Sequence, residues 1–543
     1  MMTDNKNPVF KVKPTVSMNP NLSVPLAAVL RYTADRKVST IVTVSDGDRN
    51  WEINFNGSYD PQSGLPIIGM RANKRHTFFI AIQDESGHKT MWSETLEYMT
   101  PKLPSGPRDW PPISINVSHP ELMEPGITLI SIRRRVPGRE IMMTKAQRAF
   151  SRDWSLIVGL DLNGDVVWYY QVNTRIAGFD YLHNGHLFYL THDFCAVEID
   201  MLGNKVAQWY AGKRPQGEVE GATPVDVQTI HHQPHELPSG NFLVMTAHSK
   251  KIKNFYTSEV DPGAEKADTN VMCDEIVEFR RDGSIVWNWN SFEYLDPNRI
   301  GYQTLGPYWK VRGFPDHADW THGNGLFYDE KNDAVLICLR MQDAIIKVDR
   351  STGEIVWILG DHHGWPDWLQ SKLLRPEGKV HWPYHMHNPK ATPEGTILLW
   401  NNSIFQALPF DGKRKMLPHE TYSRAVEYLV DEKRMTVREV WASENGPDND
   451  SCSCFAMGDV HWMPKTDNVL VFYGSCMARR DDMSYDPTDM RSQMEFPQWT
   501  RVREFLHTTP PKIVFEAHIE DHDDVIMWAT FGGMKISSLY PSV

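Results

Sequence analysis

Asp161-Leu-Asn-Gly-Asp-Val-Val-Trp168 is the first of five stretches that decide the fold of this 543-residue chain. Asp200-Met-Leu-Gly203 running on to Trp209, Arg281-Asp-Gly-Ser-Ile-Val-Trp287 and Asp349-Arg-Ser-Thr-Gly-Glu-Ile-Val-Trp357 repeat it, and Asp431 through Trp441 is a weaker copy. A hydrophobic strand ends in a polar turn, and a strand carrying Val and Trp follows. Recurrence at intervals of about 40 to 80 residues fits β-propeller blades lengthened by loops. Each turn then joins the two outer strands of a blade, and each Trp packs between neighbouring sheets. An open stack of hairpins would leave many equivalent edges to cover. Grouping the strands gives six blades at about 126–171, 177–211, 228–290, 318–360, 383–443 and 455–518, with 534–540 supplying a strand that closes the ring. Seven blades is the alternative count. Helical periodicity is confined to 145–152 and 366–374.

Ahead of the repeats, residues 10–98 alternate apolar and polar in short runs such as Ser39-Thr-Ile-Val-Thr-Val44 and His76-Thr-Phe-Phe-Ile-Ala-Ile82. Turns at Asp46-Gly47, Asn56-Gly57 and Ser86-Gly87 separate them, which predicts the antiparallel strands of a small β-sandwich. Pro101-Lys-Leu-Pro-Ser-Gly-Pro107 and Pro111-Pro112 read as a stiff linker. The fold class is therefore all-β: a sandwich domain over 1–100, a Pro-rich linker over 101–124 and a six-bladed propeller over 125–543.

A net charge of −13 argues against a nucleic-acid surface, which needs clustered Lys and Arg. No stretch reaches the ~18 apolar residues of a membrane span. The polar start, Met1 to Pro8, has no signal-peptide h-region, so the expected location is cytoplasmic, or periplasmic if a leader has been removed. Six cysteines are too few for a disulfide framework. Cys195, Cys273, Cys338 and Cys476 read as buried small hydrophobes, and Cys452 and Cys454 as two loop thiols.

Twenty-two histidines carry the functional signal. His232, His322 and His387 each open the first strand of a blade, the strand that lines a propeller channel, so repeat register converges all three on one pocket. Arg340, at the end of Ala334-Val-Leu-Ile-Cys-Leu339, belongs to the same blade as His322. Imidazoles beside a guanidinium, with no run of carboxylates, make an electropositive hole suited to a tetrahedral oxyanion such as a sulfate or phosphate ester. His381, His385 and His387 alternate onto one face if 381–387 is extended. His231 and His235 read as structural.

Asp319-Trp-Thr-His-Gly-Asn-Gly-Leu-Phe-Tyr-Asp329, Leu339-Arg-Met-Gln-Asp-Ala-Ile-Ile-Lys-Val-Asp-Arg350 and Thr352-Gly-Glu-Ile-Val-Trp-Ile-Leu-Gly360 closely resemble the signature blade of bacterial arylsulfate sulfotransferases. Met386-His-Asn-Pro389 with Gly395-Thr-Ile-Leu-Leu-Trp-Asn-Asn402 resembles the catalytic-histidine segment of that family, and His231-His-Gln233 another of its His motifs. Pro25-Leu-Ala-Ala-Val-Leu-Arg31 and Leu65-Pro-Ile-Ile-Gly69 are similar to its leading sandwich. The resemblance implies that His387 is a transiently sulfated nucleophile. It implies that His322, Arg340 and His232 bind the sulfuryl oxygens, and that Asn324 helps to bind substrate. Donor and acceptor would be an aryl sulfate and a phenol, exchanged by ping-pong kinetics without a cofactor or metal. A nearby imidazolium would protonate the leaving phenolate. An unpaired sandwich edge offers a route to a homodimer.

Two other readings stay open. Converging imidazoles also suit a divalent metal, giving a metal-dependent lyase or hydrolase, and the extra histidines at 381 and 385 favour some retuning. A non-catalytic propeller scaffold is the third.

Overall fold

The computed structural model describes residues 7–138, 143–416, 420–444, 450–477, 496–523 and 525–541. The fold is all-β, and the described residues build eight sheets. Two come from the N-terminal region: Phe10–Met18, Ala28–Ala34 and Leu65–Ile67 form one, and strands between Ser39 and Met99 the other. Their apolar faces share a core that includes Leu30, Val42, Phe55 and Ile80.

The other six sheets follow the sequence repeat. One edge strand of each is numbered here in chain order: β1 Ile176–Tyr181, β2 His231–Glu236, β3 Gly323–Asp329, β4 His387–Ala391, β5 Asp459–Trp462 and β6 Met527–Ile536. β6 comes from the C-terminal end of the chain and pairs antiparallel with Ile127–Arg135, joining the sheet of Ser155–Leu160 and Val166–Val172. Each edge strand packs against the next, from β1 through β6, and β6 packs against β1.

The repeated motif holds these sheets side by side. In its turns the Asp carboxylate accepts backbone N–H groups two to four residues on, as Asp161 does from Asn163 and Asp165 and Asp200 from Leu202 and Asn204. Gly203 and Gly283 sit at φ +85° and +84°, and a Cβ at Gly283 would meet the Pro224 carbonyl at 2.4 Å. Each Trp reaches across to the turn of the following sheet. Trp168 Nε1 donates to the Met201 carbonyl, Trp209 to Arg281, Trp287 to Arg350 and Trp441 to Thr508, while Trp357 donates to the Glu432 carboxylate. Every such bond contributes about 0.5–1.5 kcal/mol beyond the burial of the ring.

Apolar cores fill the spaces between successive sheets. Trp168 packs with Tyr189, Phe188 and Trp209 with Phe242, Trp289 with Ile337, Trp357 with Tyr428, Trp400 with Val471, and Val502 with Trp528. Central strands such as Ser155–Leu160, Ala334–Leu339 and Val469–Met477 are therefore buried along their whole length and read as continuous hydrophobic runs. Lys145–Arg152 is the expected helix, capped by Thr144, whereas the second predicted helix shortens to a 3-10 segment over Asp367–Lys372. Within 101–124, Ile113–Ser118 is a strand paired with Lys512–Ile519. Among the described residues no helix is long and apolar enough to cross a membrane.

Candidate functional site

The histidines leave the sheets where strand pairing breaks. Register shifts fall between His231 and Pro234, between Gly323 and Gly325, and between His387 and Lys390. His232 and His322 hold φ of 60° and 46°, and Asn388, next to His387, 47°. Left-handed backbone at non-glycine residues costs about 1–3 kcal/mol each and clusters where geometry serves a ligand. Here it turns imidazoles out of the ladder and into one cavity.

That cavity, of about 220 Å³, is lined by His231, His232, His322, Arg340 and His387. Arg133, Arg135, Arg175 and Arg312 complete a set of five arginines, against Asp319 as the one lining carboxylate among the described residues. In a chain of net charge −13 this is a concentrated reversal of sign. Arg340 is 3% exposed and donates to Gln303 Oε1 and the Phe455 carbonyl. Among the described residues none of its hydrogen bonds goes to a carboxylate, and its Nε has no partner. A larger opening of about 920 Å³, at His235, Phe327, Lys347 and Glu432, contains none of the four predicted groups His232, His322, Arg340 and His387.

His387 is 2% exposed, and its Nδ1 lies 2.6 Å from Asn402 Oδ1. The Asn402 amide has a fixed orientation, because its Nδ2 donates to the Cys454 and Met457 carbonyls at 3.0 Å each. The proton of the neutral ring therefore sits on Nδ1 and the lone pair on Nε2. Nε2 accepts the Met457 N–H at 3.0 Å. His322 Nδ1 lies 2.6 Å from Asp319 Oδ2, and Asp319 Oδ1 accepts from Trp309 Nε1 at 2.8 Å. Tyr308 meets the His322 ring edge-on at 4.3 Å between centroids, and the His232 ring stands 5.1 Å from that of His322.

Burial dominates the electrostatics. It pushes His387, His322 and His232 well below the usual imidazole range, and Arg340 lowers the first two further. The same desolvation raises Asp319 to about 7 against the Trp309 bond and the Arg340 charge. The site thus holds neutral imidazoles where the sequence suggested an imidazolium.

Of the five residues predicted as functional, His232, His322, Arg340 and His387 line the same cavity. Asn324 does not. It is fully buried and its Nδ2 donates to the Met386 carbonyl at 3.0 Å, which ties β3 to the residue before His387. The segment 381–386 is loop, so the expected alternation fails: His381 bonds Glu439 at the surface, and His385 turns to Asp343 in the interior. His231, read as structural, borders the cavity with its Nδ1 2.6 Å from that of His232. Asn402, Asp319, Gln303, Tyr308 and the Met457 amide were missed. Asn402 and Asp319 were within reach, since both stand inside quoted motifs. Gln303 and Tyr308 come from an irregular insertion with no periodicity. Among the described residues, no three His, Asp or Glu side chains of the cavity bring ligand atoms within 4.8 Å of one another.

The arylsulfotransferase (ASST) family model matches residues 117–525. The arylsulfate sulfotransferase AssT of Escherichia coli O6:H1 (strain CFT073) is 26% identical over 285 residues, 45% of this chain and 43% of that protein. AssT of Lelliottia amnigena is 26% identical over 335 residues, 52% of this chain and 51% of that protein. The chain thus matches about half the length of these relatives or less. Among solved structures, a protein of unknown function from Bacteroides caccae aligns with a TM-score of 0.36 and 11% identity, covering 75% of this chain and 99% of that one. The family match takes in every cavity histidine and all of its arginines, and on that ground the chain belongs to the arylsulfotransferase family.

Proposed function

We propose that this protein is an arylsulfate sulfotransferase that passes a sulfuryl group from an aryl sulfate to a phenol through sulfated His387. The observation that carries the reading is the His387–Asn402 bond, which places the lone pair on Nε2, where only the Met457 N–H must leave to free it, in a cavity where no described carboxylate bonds Arg340.

In the first half-reaction His387 Nε2 attacks sulfur, an N–S bond forms and the S–O bond to the aryl group breaks. Arg340 neutralises charge on the sulfuryl oxygens, the neutral His232 ring hydrogen-bonds them, and the Met457 N–H, released from Nε2, becomes a further donor. Arg133 and Arg312 add positive charge to the wall, in keeping with an anionic donor. The leaving aryloxide takes its proton from His322 Nε2. The Asp319–His322 pair holds one shared proton below about pH 7, and either way of sharing it leaves an N–H on Nε2. In the second half-reaction the acceptor phenol returns a proton to His322 as its oxygen attacks sulfur and the N–S bond breaks. Proton and charge balance over the cycle, and no cofactor enters.

The scaffold belongs to the same proposal. Six sheets whose edge strands touch in a cycle, with an apolar core in every gap, support a closed six-bladed propeller over 125–541, fronted by a sandwich over 7–100 and joined through 101–124. The metal-dependent alternative lacks a ligand trio among the described cavity residues. Initial rates with p-nitrophenyl sulfate and phenol, each varied at several levels of the other, test the function. Parallel double-reciprocal lines are expected. Intersecting lines, or turnover that a chelator abolishes, would defeat it.

A further inference from the structure

Three cysteines that the sequence pattern sets apart meet directly behind His387. Cys454 lies on the two-residue strand Ser453–Cys454 and pairs across it with Cys476 on Val469–Met477. Cys452 immediately precedes that strand. The Sγ atoms are 3.1 Å apart for Cys452–Cys476, 3.4 Å for Cys454–Cys476 and 3.9 Å for Cys452–Cys454. All three are unbonded and at most 1% exposed. Sulfur is larger than carbon, whose contacts settle at about 3.5–4.0 Å, so packing alone does not favour this spacing. Apolar groups surround the trio, including Trp400, Val460 and Phe505. Arg501, 3% exposed, approaches as well, with Nη2 3.9 Å from Cys452 Sγ.

We propose that Cys452, Cys454 and Cys476 form a three-thiolate site for a soft d10 metal ion, Cu(I) in preference to Zn(II). The donor set is all sulfur, which selects soft cations. It is also a set of three: among the described residues no His, Asp or Glu joins it, whereas structural zinc completes a tetrahedron. Sulfurs about 2.3 Å from a shared centre in a trigonal plane stand about 4 Å apart, so the cage has to open by less than about 1 Å. Entry of the ion releases the thiol protons. Three thiolates and one monovalent cation leave a charge of −2 beside the guanidinium groups of Arg501 and Arg503, which also pair with Asp450 and Glu516.

The trio shares a short segment with the cavity. The Cys454 carbonyl accepts from the Asn402 amide that orients His387, the Phe455 carbonyl accepts from Arg340, and the Met457 N–H meets His387 Nε2. A bound ion anchors this segment from behind. That consequence rests on the sulfotransferase reading, whereas the metal site does not.

The test is a competition, under anaerobic and reducing conditions, between the full chain and bathocuproine disulfonate for Cu(I), with Zn(II) titrated separately. One Cu(I) per chain is expected, with X-ray absorption reporting three sulfur neighbours and nothing lighter. Cys454→Ser and Cys476→Ser should each weaken retention by more than about tenfold, while Cys273→Ser leaves it unchanged. If the serine variants do not fold, the absorption spectrum of the wild-type complex decides. Failure of the reduced protein to compete, nitrogen or oxygen in the metal shell, or a disulfide joining two of the three in unreduced peptide maps would each overturn the site. Aryl sulfate turnover is measured on the same samples. Copper binding without turnover sinks only the catalytic reading, and turnover without copper binding sinks only the metal site.

Discussion

Replacing Asn402 by Ala should damage catalysis through the proton it fixes, with little effect on substrate binding. Asn402 Oδ1 accepts from His387 Nδ1 at 2.6 Å, and the ring is 2% exposed, so water does not substitute for it. Losing the bond removes about 0.5–1.5 kcal/mol, and leaving a buried N–H unsatisfied adds about 1–3 kcal/mol. The ring escapes part of this by moving its proton to Nε2, where it would oppose the Met457 N–H and lose its nucleophilic lone pair. A net penalty of about 2–3 kcal/mol on the reactive tautomer corresponds to a fall of roughly 30- to 150-fold in kcat. The assay is stopped-flow release of p-nitrophenolate at saturating donor, with KM measured alongside. Asn402→Asp separates this from a general structural defect. It keeps an acceptor for Nδ1 but adds negative charge, so it should raise the His387 pKa and move the acid limb of kcat/KM upward. An Asn402→Ala protein with kcat within twofold of wild type, or a loss confined to KM, refutes the tautomer argument.

Arg340→Lys keeps the charge but loses the planar fork, and should lower kcat/KM for p-nitrophenyl sulfate by about 10²-fold or more, with Arg340→Gln lower still. Arg133→Ala, at the cavity wall, should raise KM for the anionic donor more than it lowers kcat, as read from steady-state curves. The pH profile of kcat/KM should show no loss at pH 6, because burial holds His387 far below the ordinary imidazole value of about 6.5. It should instead decline above about pH 7, as the Asp319–His322 pair gives up its proton, and Asp319→Asn should abolish that limb. Stability has the opposite dependence. His231, His232, His322, His385 and His387 all bind protons more weakly folded than unfolded, so protonation below about pH 6.5 favours the unfolded chain. Asp319 and Asp274, raised to about 7, oppose this between about pH 4 and 7, but the histidines outnumber them. Tm should therefore fall between pH 7 and pH 5. Trp209→Ala should cost about 3–5 kcal/mol in chemical unfolding, since it empties the core beside Phe188 and Phe242 and cuts the bond to Arg281.

The repeat was legible because one local device recurs. Asp and Gly shape each turn, and the Trp that follows docks on the next sheet, so the chemistry is visible in eight residues at a time. His232, His322 and His387 were legible for the same reason, standing at one place in successive units. Features that depend on long-range packing were not. Asn324 lies in the signature stretch, yet whether its amide meets substrate or the Met386 carbonyl depends on how β3 lies against β4. The chain from 381 to 386 shows the period of a strand without pairing as one, because the His385 backbone N–H goes to the Asp343 side chain instead of a neighbouring strand. Gln303 and Tyr308 arrive from an irregular insertion, and the cavity arginines come from several segments distant in sequence. The cysteine trio depends on the pairing of Cys454 with Cys476, which a reading of C-x-C alone does not anticipate.

Transfer through a protein-bound sulfuryl group is open to direct weighing. Intact-mass measurement after mixing with excess p-nitrophenyl sulfate, in the absence of any phenol acceptor, should show the wild-type chain heavier by one SO3, with fragmentation assigning it to the peptide that carries His387 and with loss on adding phenol. An unmodified chain that still catalyses transfer at full rate, or the same adduct formed by His387→Ala, would contradict the account.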